Sequence, residues 1–93
     1  MPEIAPSHTA ARQSIDVRVR LFASYREAAG TARLDMAVPS GARVGDLLEL
    51  LAQRIPALKA ARGMIAVNQT YVGSDVELHE GDEVAFIPPV SGG

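Results

Sequence analysis

The sequence predicts an α+β fold in which a mixed sheet of four to five strands wraps around one main helix. Three observations carry that prediction. Residues 15–21 and 33–38 alternate apolar and polar side chains with the period of a half-buried strand. Val44, Leu47, Leu48, Leu51 and Ile55 recur at helical spacing, giving one apolar stripe able to lie across a sheet. The run Glu83, Val84, Ala85, Phe86, Ile87 then reads as a last strand after a series of short turns.

Taken in order, residues 1–14 mix Pro2, Pro6, small residues and isolated charges without apolar periodicity and read as a flexible N-terminal extension. The folded domain is expected over residues 15–87, and residues 88–93 form an extended C-terminal tail. In the first strand Val17, Val19 and Leu21 point one way, and Asp16, Arg18 and Arg20 the other. Ser24 is expected to cap a short helix through Tyr25, Arg26, Glu27, Ala28 and Ala29, with Gly30 as its left-handed stop. The second strand sets Leu34, Met36 and Val38 against Arg33, Asp35 and Ala37, ends at the Pro39-Ser40-Gly41 turn, and pairs with the first. The main helix starts near Val44, where Asp46 and Glu49 suit the helix dipole and Arg43 is a poor N-cap; Pro56 ends it. A short strand at Met64–Val67, a turn at Asn68-Gln69-Thr70, a Tyr71-Val72 segment and turns at residues 73–75 and 79–82 lead to the last strand. The crossover through the main helix places the first and last strands side by side and parallel.

Composition narrows the function. A chain of 93 residues, 47% hydrophobic, supports one domain with little room for a deep substrate pocket. Its 11 acidic and 9 basic residues are scattered, so no basic stripe exists to hold a phosphate backbone, and nucleic acid is excluded as a partner. Without cysteine there is no disulfide, thiolate metal site or side-chain sulfur chemistry. No apolar run approaches the ~18 residues that span a bilayer, no signal-peptide core is present, and the cytoplasm is the expected location. His8 and His79 are too isolated for a metal site, and no Ser-His-Asp set, phosphate loop or paired-carboxylate cleft is visible.

What remains is the end of the chain. Pro88 and Pro89 stiffen the root of a tail that passes through Val90 and Ser91 to Gly92 and Gly93. Glycine lets a backbone enter channels closed to other residues, so a terminal diglycine suits a tail that threads into another protein's active site. A frayed end or a linker remnant is the plain alternative.

The motifs Leu21-Phe22-Ala23-Ser24-Tyr25-Arg26-Glu27-Ala28-Ala29-Gly30, Val44-Gly45-Asp46-Leu47, Ala66-Val67-Asn68-Gln69 and Gly81-Asp82-Glu83-Val84-Ala85-Phe86-Ile87-Pro88-Pro89-Val90-Ser91-Gly92-Gly93 settle the setting of that tail. Over residues 17–93 the chain resembles the ubiquitin-like β-grasp sulfur carriers, and within them the molybdopterin synthase small-subunit (MoaD) family. The thiamin-pathway carriers share fold and diglycine but are usually shorter and lack the Phe-Ile-Pro-Pro-Val approach; the N-terminal extension is this chain's main departure.

The resemblance implies that the Gly93 carboxylate is adenylated with ATP by an enzyme of the ubiquitin-activating type and converted to a thiocarboxylate by a sulfur donor. The charged tail then enters the large synthase subunit, within a heterotetramer, where sulfur passes to a cyclic pterin phosphate on the way to molybdenum cofactor. The chain binds no cofactor itself and is not catalytic alone. The residues fit each step. A carboxylate needs a leaving group before sulfur can attack, and an unhindered glycine carbonyl is all the carrier must supply. Fully extended, residues 88–93 span up to ~20 Å at ~3.3–3.6 Å per residue, enough to reach a centre buried in a partner.

Strand parity also marks a docking surface. Phe22 falls on the outward side with Arg18 and Arg20, and Ile87 on the outward side with Ala85, so two large apolar groups stand near the tail root where polar ones are expected. A twist at the strand ends would instead bury both. The acidic residues Asp75, Glu77, Glu80, Asp82 and Glu83 either steer toward a basic partner or form a solvated turn face, and Asn68 and Gln69 read as turn residues. Two other functions share the tail chemistry: a carrier for thiamin thiazole or cysteine synthesis, and a ubiquitin-like protein modifier. A non-enzymatic binding module that is never activated is the remaining reading.

Overall fold

The computed structural model describes residues 14–59 and 63–89. The extension ahead of Ser14, and Val90, Ser91, Gly92 and Gly93 at the far end, lie outside the described residues. Among the described residues the order is β1 (Ser14–Leu21), α1 (Ala23–Ala29), β2 (Arg33–Pro39), α2 (Val44–Arg54), a 3-10 turn (Pro56–Leu58), β3 (Met64–Val67), β4 (Thr70–Val72) and β5 (Glu83–Ile87). The five strands form one mixed sheet in the order β2-β1-β5-β3-β4. β1 pairs antiparallel with β2 and parallel with β5, and β5 pairs antiparallel with β3. This is the expected α+β, β-grasp arrangement, with the crossover through α2 bringing first and last strands together.

The core follows the two periodicities. Val17, Val19 and Leu21 of β1, Val38 of β2, and Val84 and Phe86 of β5 form the inner face of the sheet and are buried. Val44, Leu47, Leu51 and Ile55 of the helical stripe meet them, Leu58 and Leu78 join from the connections, and Leu48 is partly buried. Each such leucine contributes roughly 2–5 kcal/mol by the measure of its truncation to alanine. Among the described residues no helix is long and apolar enough to cross a membrane.

Local capping differs from the sequence reading at α1. Ser24 sits inside the first turn, and the N-cap position belongs to Phe22, which has no side-chain cap. Ala23 adopts φ +50°, a left-handed bend out of β1, and the first helical hydrogen bonds are already made to the Phe22 carbonyl, ahead of Ser24. The Phe22 carbonyl accepts from the N–H groups of Tyr25 at 3.0 Å and Arg26 at 3.4 Å, and Gly30 closes the helix at φ +78°. At α2, Arg43 does occupy the N-cap despite lacking an acceptor. Asp46 accepts the Arg43 N–H at 2.8 Å, while the carbonyls of Val76 and Ser74 accept from Val44 and Gly45 at 2.9 and 2.8 Å. The 74–76 loop therefore satisfies the helix donors that a Ser or Asp cap would otherwise take.

Candidate functional site

The candidate site is the outer face of the sheet where β5 runs out. β1 and β5 are in parallel register with Arg20 beside Ala85 and Leu21 beside Phe86. One step further along, Phe22 falls next to Ile87, both on the side of the sheet away from α2. The antiparallel ladder from β5 to β3 continues the row, placing Met64 opposite Ile87 and Ala66 opposite Ala85, and β4 sets Tyr71 opposite Ala66. The result is an apolar strip across three strands, Phe22–Ile87–Met64, with Ala85, Ala66 and Tyr71 in the row behind it. Phe22 is 36% exposed, Met64 50% and Tyr71 64%, although each is large and apolar enough to favour burial.

Charges edge this strip on the β1 side. The guanidinium carbon of Arg20 lies 5.2 Å from the centroid of the Phe22 ring, and its Nη1 is 3.8 Å from Glu83 Oε2. Both partners of that ion pair are partly exposed, so it contributes little stability, but it orders the groups beside Phe22. Arg33 stands opposite Arg20 and Asp35 opposite Arg18 across the β1–β2 ladder, which makes a mixed flank where Asp35 and Glu83 offset part of the charge of Arg18, Arg20 and Arg33.

Pro88 continues from Ile87 half-buried and Pro89 is exposed. Of the residues expected to act, Phe22, Ile87, Pro88 and Pro89 are therefore together at the strip and tail root. Val90, Ser91, Gly92 and Gly93 lie outside the described residues. The alternative in which strand ends bury Phe22 and Ile87 does not hold for Phe22, and Ile87 is only partly covered.

Sequence reasoning missed Met64 and Tyr71. Their parity was readable, since Met64 and Ala66 alternate with the inward Ile65, but their place beside Ile87 depends on strand order. It also missed what Asn68 does. At φ +50° Asn68 opens the β3–β4 turn, its Nδ2 donates to Asp82 Oδ1 at 2.9 Å, and its Oδ1 accepts from the Glu83 N–H at 3.0 Å. The residue thus fixes the start of β5, from which the tail departs. Asp82 Oδ2 also accepts the His79 N–H at 2.8 Å, and Glu80 accepts the Asp16 N–H at 2.9 Å. Glu80, Asp82 and Glu83 of the 75–83 stretch each hold a contact within the fold. His79 is largely exposed, its Nδ1 4.0 Å from Asp82. No cluster of ligand-type side chains suited to a metal occurs among the described residues.

Under the tail root sits Tyr25 of α1. The ring is buried and its hydroxyl has no hydrogen-bond partner among the described residues. Burial raises the phenol above its ordinary pKa, and the Gly63 backbone N–H, facing the oxygen without closing a well-formed hydrogen bond, offsets part of that rise.

The comparisons with known proteins agree with this architecture. The ThiS family model matches residues 19–93. The molybdopterin synthase sulfur carrier subunit of Mycobacterium tuberculosis (strain ATCC 25618 / H37Rv) is 43% identical over 82 residues, covering 85% of this chain and 99% of that one. Among solved structures, the crystal structure of SAMP1 from Haloferax volcanii is similar with a TM-score of 0.74 at 31% identity, over 84% of this chain and 99% of that one. A protein–protein complex of subunits 1 and 2 of molybdopterin-converting factor from Helicobacter pylori 26695 contains a chain of the same fold, with a TM-score of 0.62 at 21% identity over 85% of this chain and 100% of that one.

Proposed function

The chain belongs to the ThiS family, and we propose that within it this protein is the sulfur-carrier small subunit of molybdopterin synthase. The observation that carries the reading is the similarity to the Mycobacterium tuberculosis carrier subunit, which runs through nearly the whole of that relative. The described geometry supports it. A rigid β-grasp body ends in Pro88 and Pro89, beside an exposed apolar strip that a partner must cover for the arm to enter it.

In this reading residues 15–87 are the handle and 88–93 the working arm. The Gly93 carboxylate attacks the α-phosphate of ATP within an adenylating enzyme of the ubiquitin-activating type, and pyrophosphate leaves. Hydrosulfide released by a sulfur donor attacks the resulting acyl adenylate, AMP leaves, and a thiocarboxylate remains at Gly93. The electrophile comes from the adenylate, so the carrier needs no catalytic side chain, only a carbonyl without steric cover, which Gly92 and Gly93 provide. Docking through Phe22 and Ile87 then holds the body outside the large subunit while residues 88–93 reach its active site, where sulfur passes to the pterin precursor. Pro88 and Pro89 lower the entropy lost when the arm is fixed. ATP belongs to the activating partner, and the chemistry is cytoplasmic.

Reconstitution with the large subunit, the adenylating enzyme, ATP, a sulfur donor and the pterin precursor tests this reading. The wild-type chain is expected to support dithiolene formation and a chain lacking Gly93 to support none; product from the deletion contradicts the proposal. The likeness to SAMP1, which belongs to the small archaeal modifier proteins, favours one other reading, conjugation to lysines of other proteins. Covalent adducts of this chain on other proteins, formed in place of dithiolene product, would select it.

A further inference from the structure

We propose that Gly63 is a positioning residue for the C-terminal arm, an inference that rests on the sulfur-carrier reading. Gly63 directly precedes β3, whose first residue, Met64, pairs with Ile87 at the end of the β3–β5 ladder. It therefore faces the point where the chain leaves the sheet. There the two backbones come so close that a Cβ built on Gly63 would overlap the carbonyl oxygen of Ile87, lie 2.9 Å from its carbonyl carbon and 3.0 Å from Pro88 Cα.

The other described glycines differ. Gly30, Gly41 and Gly81 adopt positive φ with open space where a Cβ would stand, so glycine serves their backbone angles. Gly45 and Gly73 come no nearer than 3.3 and 3.2 Å to a neighbour. Among the described residues, Gly63 alone is a glycine whose missing side chain makes room for main-chain atoms of another strand. Those atoms cannot rotate aside as a side chain could, and Pro88 has its φ fixed by the ring. On the interior side Tyr25, Leu58 and Phe86 line a small crevice beside Gly63.

Any side chain at position 63 must therefore move the chain at Ile87 and Pro88. With φ fixed by the rings of Pro88 and Pro89, a shift at Ile87 and Pro88 re-aims the root from which the rest of the arm continues. Sulfur transfer needs the thiocarboxylate within near-attack distance of its acceptor, so the exit direction set at Gly63 governs the rate of transfer after docking. Ile87 belongs to the docking strip as well as to the root of the arm, so the effect on transfer is read with the large subunit saturated.

A double-mutant cycle tests the proposal with the full chain, charged with sulfur at Gly93, and the large subunit with its pterin precursor. The variants are Gly63→Ala, an insertion of two glycines between Pro89 and Val90, and the two combined. Gly63→Ala is expected to slow transfer at saturating carrier by at least about tenfold, a loss read apart from any change in affinity for the large subunit. In the insertion background, where body and arm are uncoupled, Gly63→Ala should cost nothing more. A wild-type rate for Gly63→Ala, or an equal fold-loss in both backgrounds as a simple loss of stability would give, overturns the proposal. If Gly63→Ala does not fold, the insertion alone decides: freeing the arm must slow transfer by at least about tenfold, and a wild-type rate overturns the idea. Independently, the wild-type protein must show a strong nuclear Overhauser effect between the Hα protons of Gly63 and Pro88, and its absence overturns the seat. A wild-type carrier that transfers no sulfur defeats the functional reading beneath the proposal; a working wild type with an equally active Gly63→Ala defeats this proposal alone.

Discussion

Arg20 holds its guanidinium 5.2 Å from the centre of the Phe22 ring, on the solvent face of the sheet and within 3.8 Å of Glu83. A cation over an aromatic face is worth about 0.5–1 kcal/mol at an exposed site, enough to bias the ring without burying it. Substituting Phe22→Glu is expected to weaken binding of the large subunit by more than about tenfold, since charge would enter the centre of a desolvated contact. The melting temperature should move by only a few degrees, because Phe22 lies outside the core. Calorimetric titration and thermal melting check both parts; a large drop in melting temperature assigns Phe22 to folding instead.

Met64 extends the same strip from the other side of Ile87, 50% exposed at the start of β3. Met64→Asp is expected to weaken the same association by about tenfold, again with near-wild-type melting. Binding unaffected by Met64→Asp but lost in Phe22→Glu would restrict the docking surface to β1 and β5.

The alternation of Val17, Val19 and Leu21 and the helical stripe from Val44 made the sheet and main helix legible because side-chain period reports directly on which face is buried. The parallel neighbours β1 and β5 followed from chain connectivity. Three things were hidden for a common reason, namely that they depend on pairing between distant segments. Met64 joins Phe22 only through the shared neighbour Ile87, and Gly63 matters only because the chain leaves β5 across it. Arg43 can cap α2 only because Ser74 and Val76 bring their carbonyls to the helix. The Ser24 cap failed for a local reason. A serine ahead of a short helical pattern is a sound cap signal, yet the helical hydrogen bonds already begin at the Phe22 carbonyl.

Asn68 combines a left-handed backbone with two side-chain hydrogen bonds, at 2.9 Å to Asp82 and 3.0 Å from Glu83. Asn68→Gly keeps the turn and loses the bonds; Asn68→Ala loses both advantages. Destabilisation is expected in the order Ala above Gly, at about 1–3 kcal/mol for alanine, measured by denaturant unfolding. Equal effects for the two variants would show that the backbone conformation contributes nothing.

Tyr25 gives the fold an alkaline signature. Its phenol is raised in the folded protein, first by burial, with the Gly63 N–H offsetting part. The folded state therefore holds this proton more tightly than the unfolded chain, whose tyrosine titrates near 10. Stability is at its plateau below about pH 10 and falls as pH rises from there toward the folded-state value, because in that window the unfolded state binds fewer protons. Tyr25→Phe should remove this component of the alkaline loss. It should also match or exceed wild-type stability at neutral pH by up to about 1 kcal/mol, since a buried hydroxyl without a partner is deleted. Marked destabilisation by Tyr25→Phe at neutral pH would mean that the hydroxyl does have a partner.

The central claim is that Gly93 carries sulfur as a thiocarboxylate. Its most direct test is the intact mass of the chain after incubation with ATP, a sulfur donor and the adenylating enzyme, beside a chain lacking Gly93. A gain equal to the exchange of one oxygen for sulfur is expected in the wild type, localised to the C-terminal peptide and missing from the deletion. An unchanged mass under conditions that charge a known carrier would contradict it.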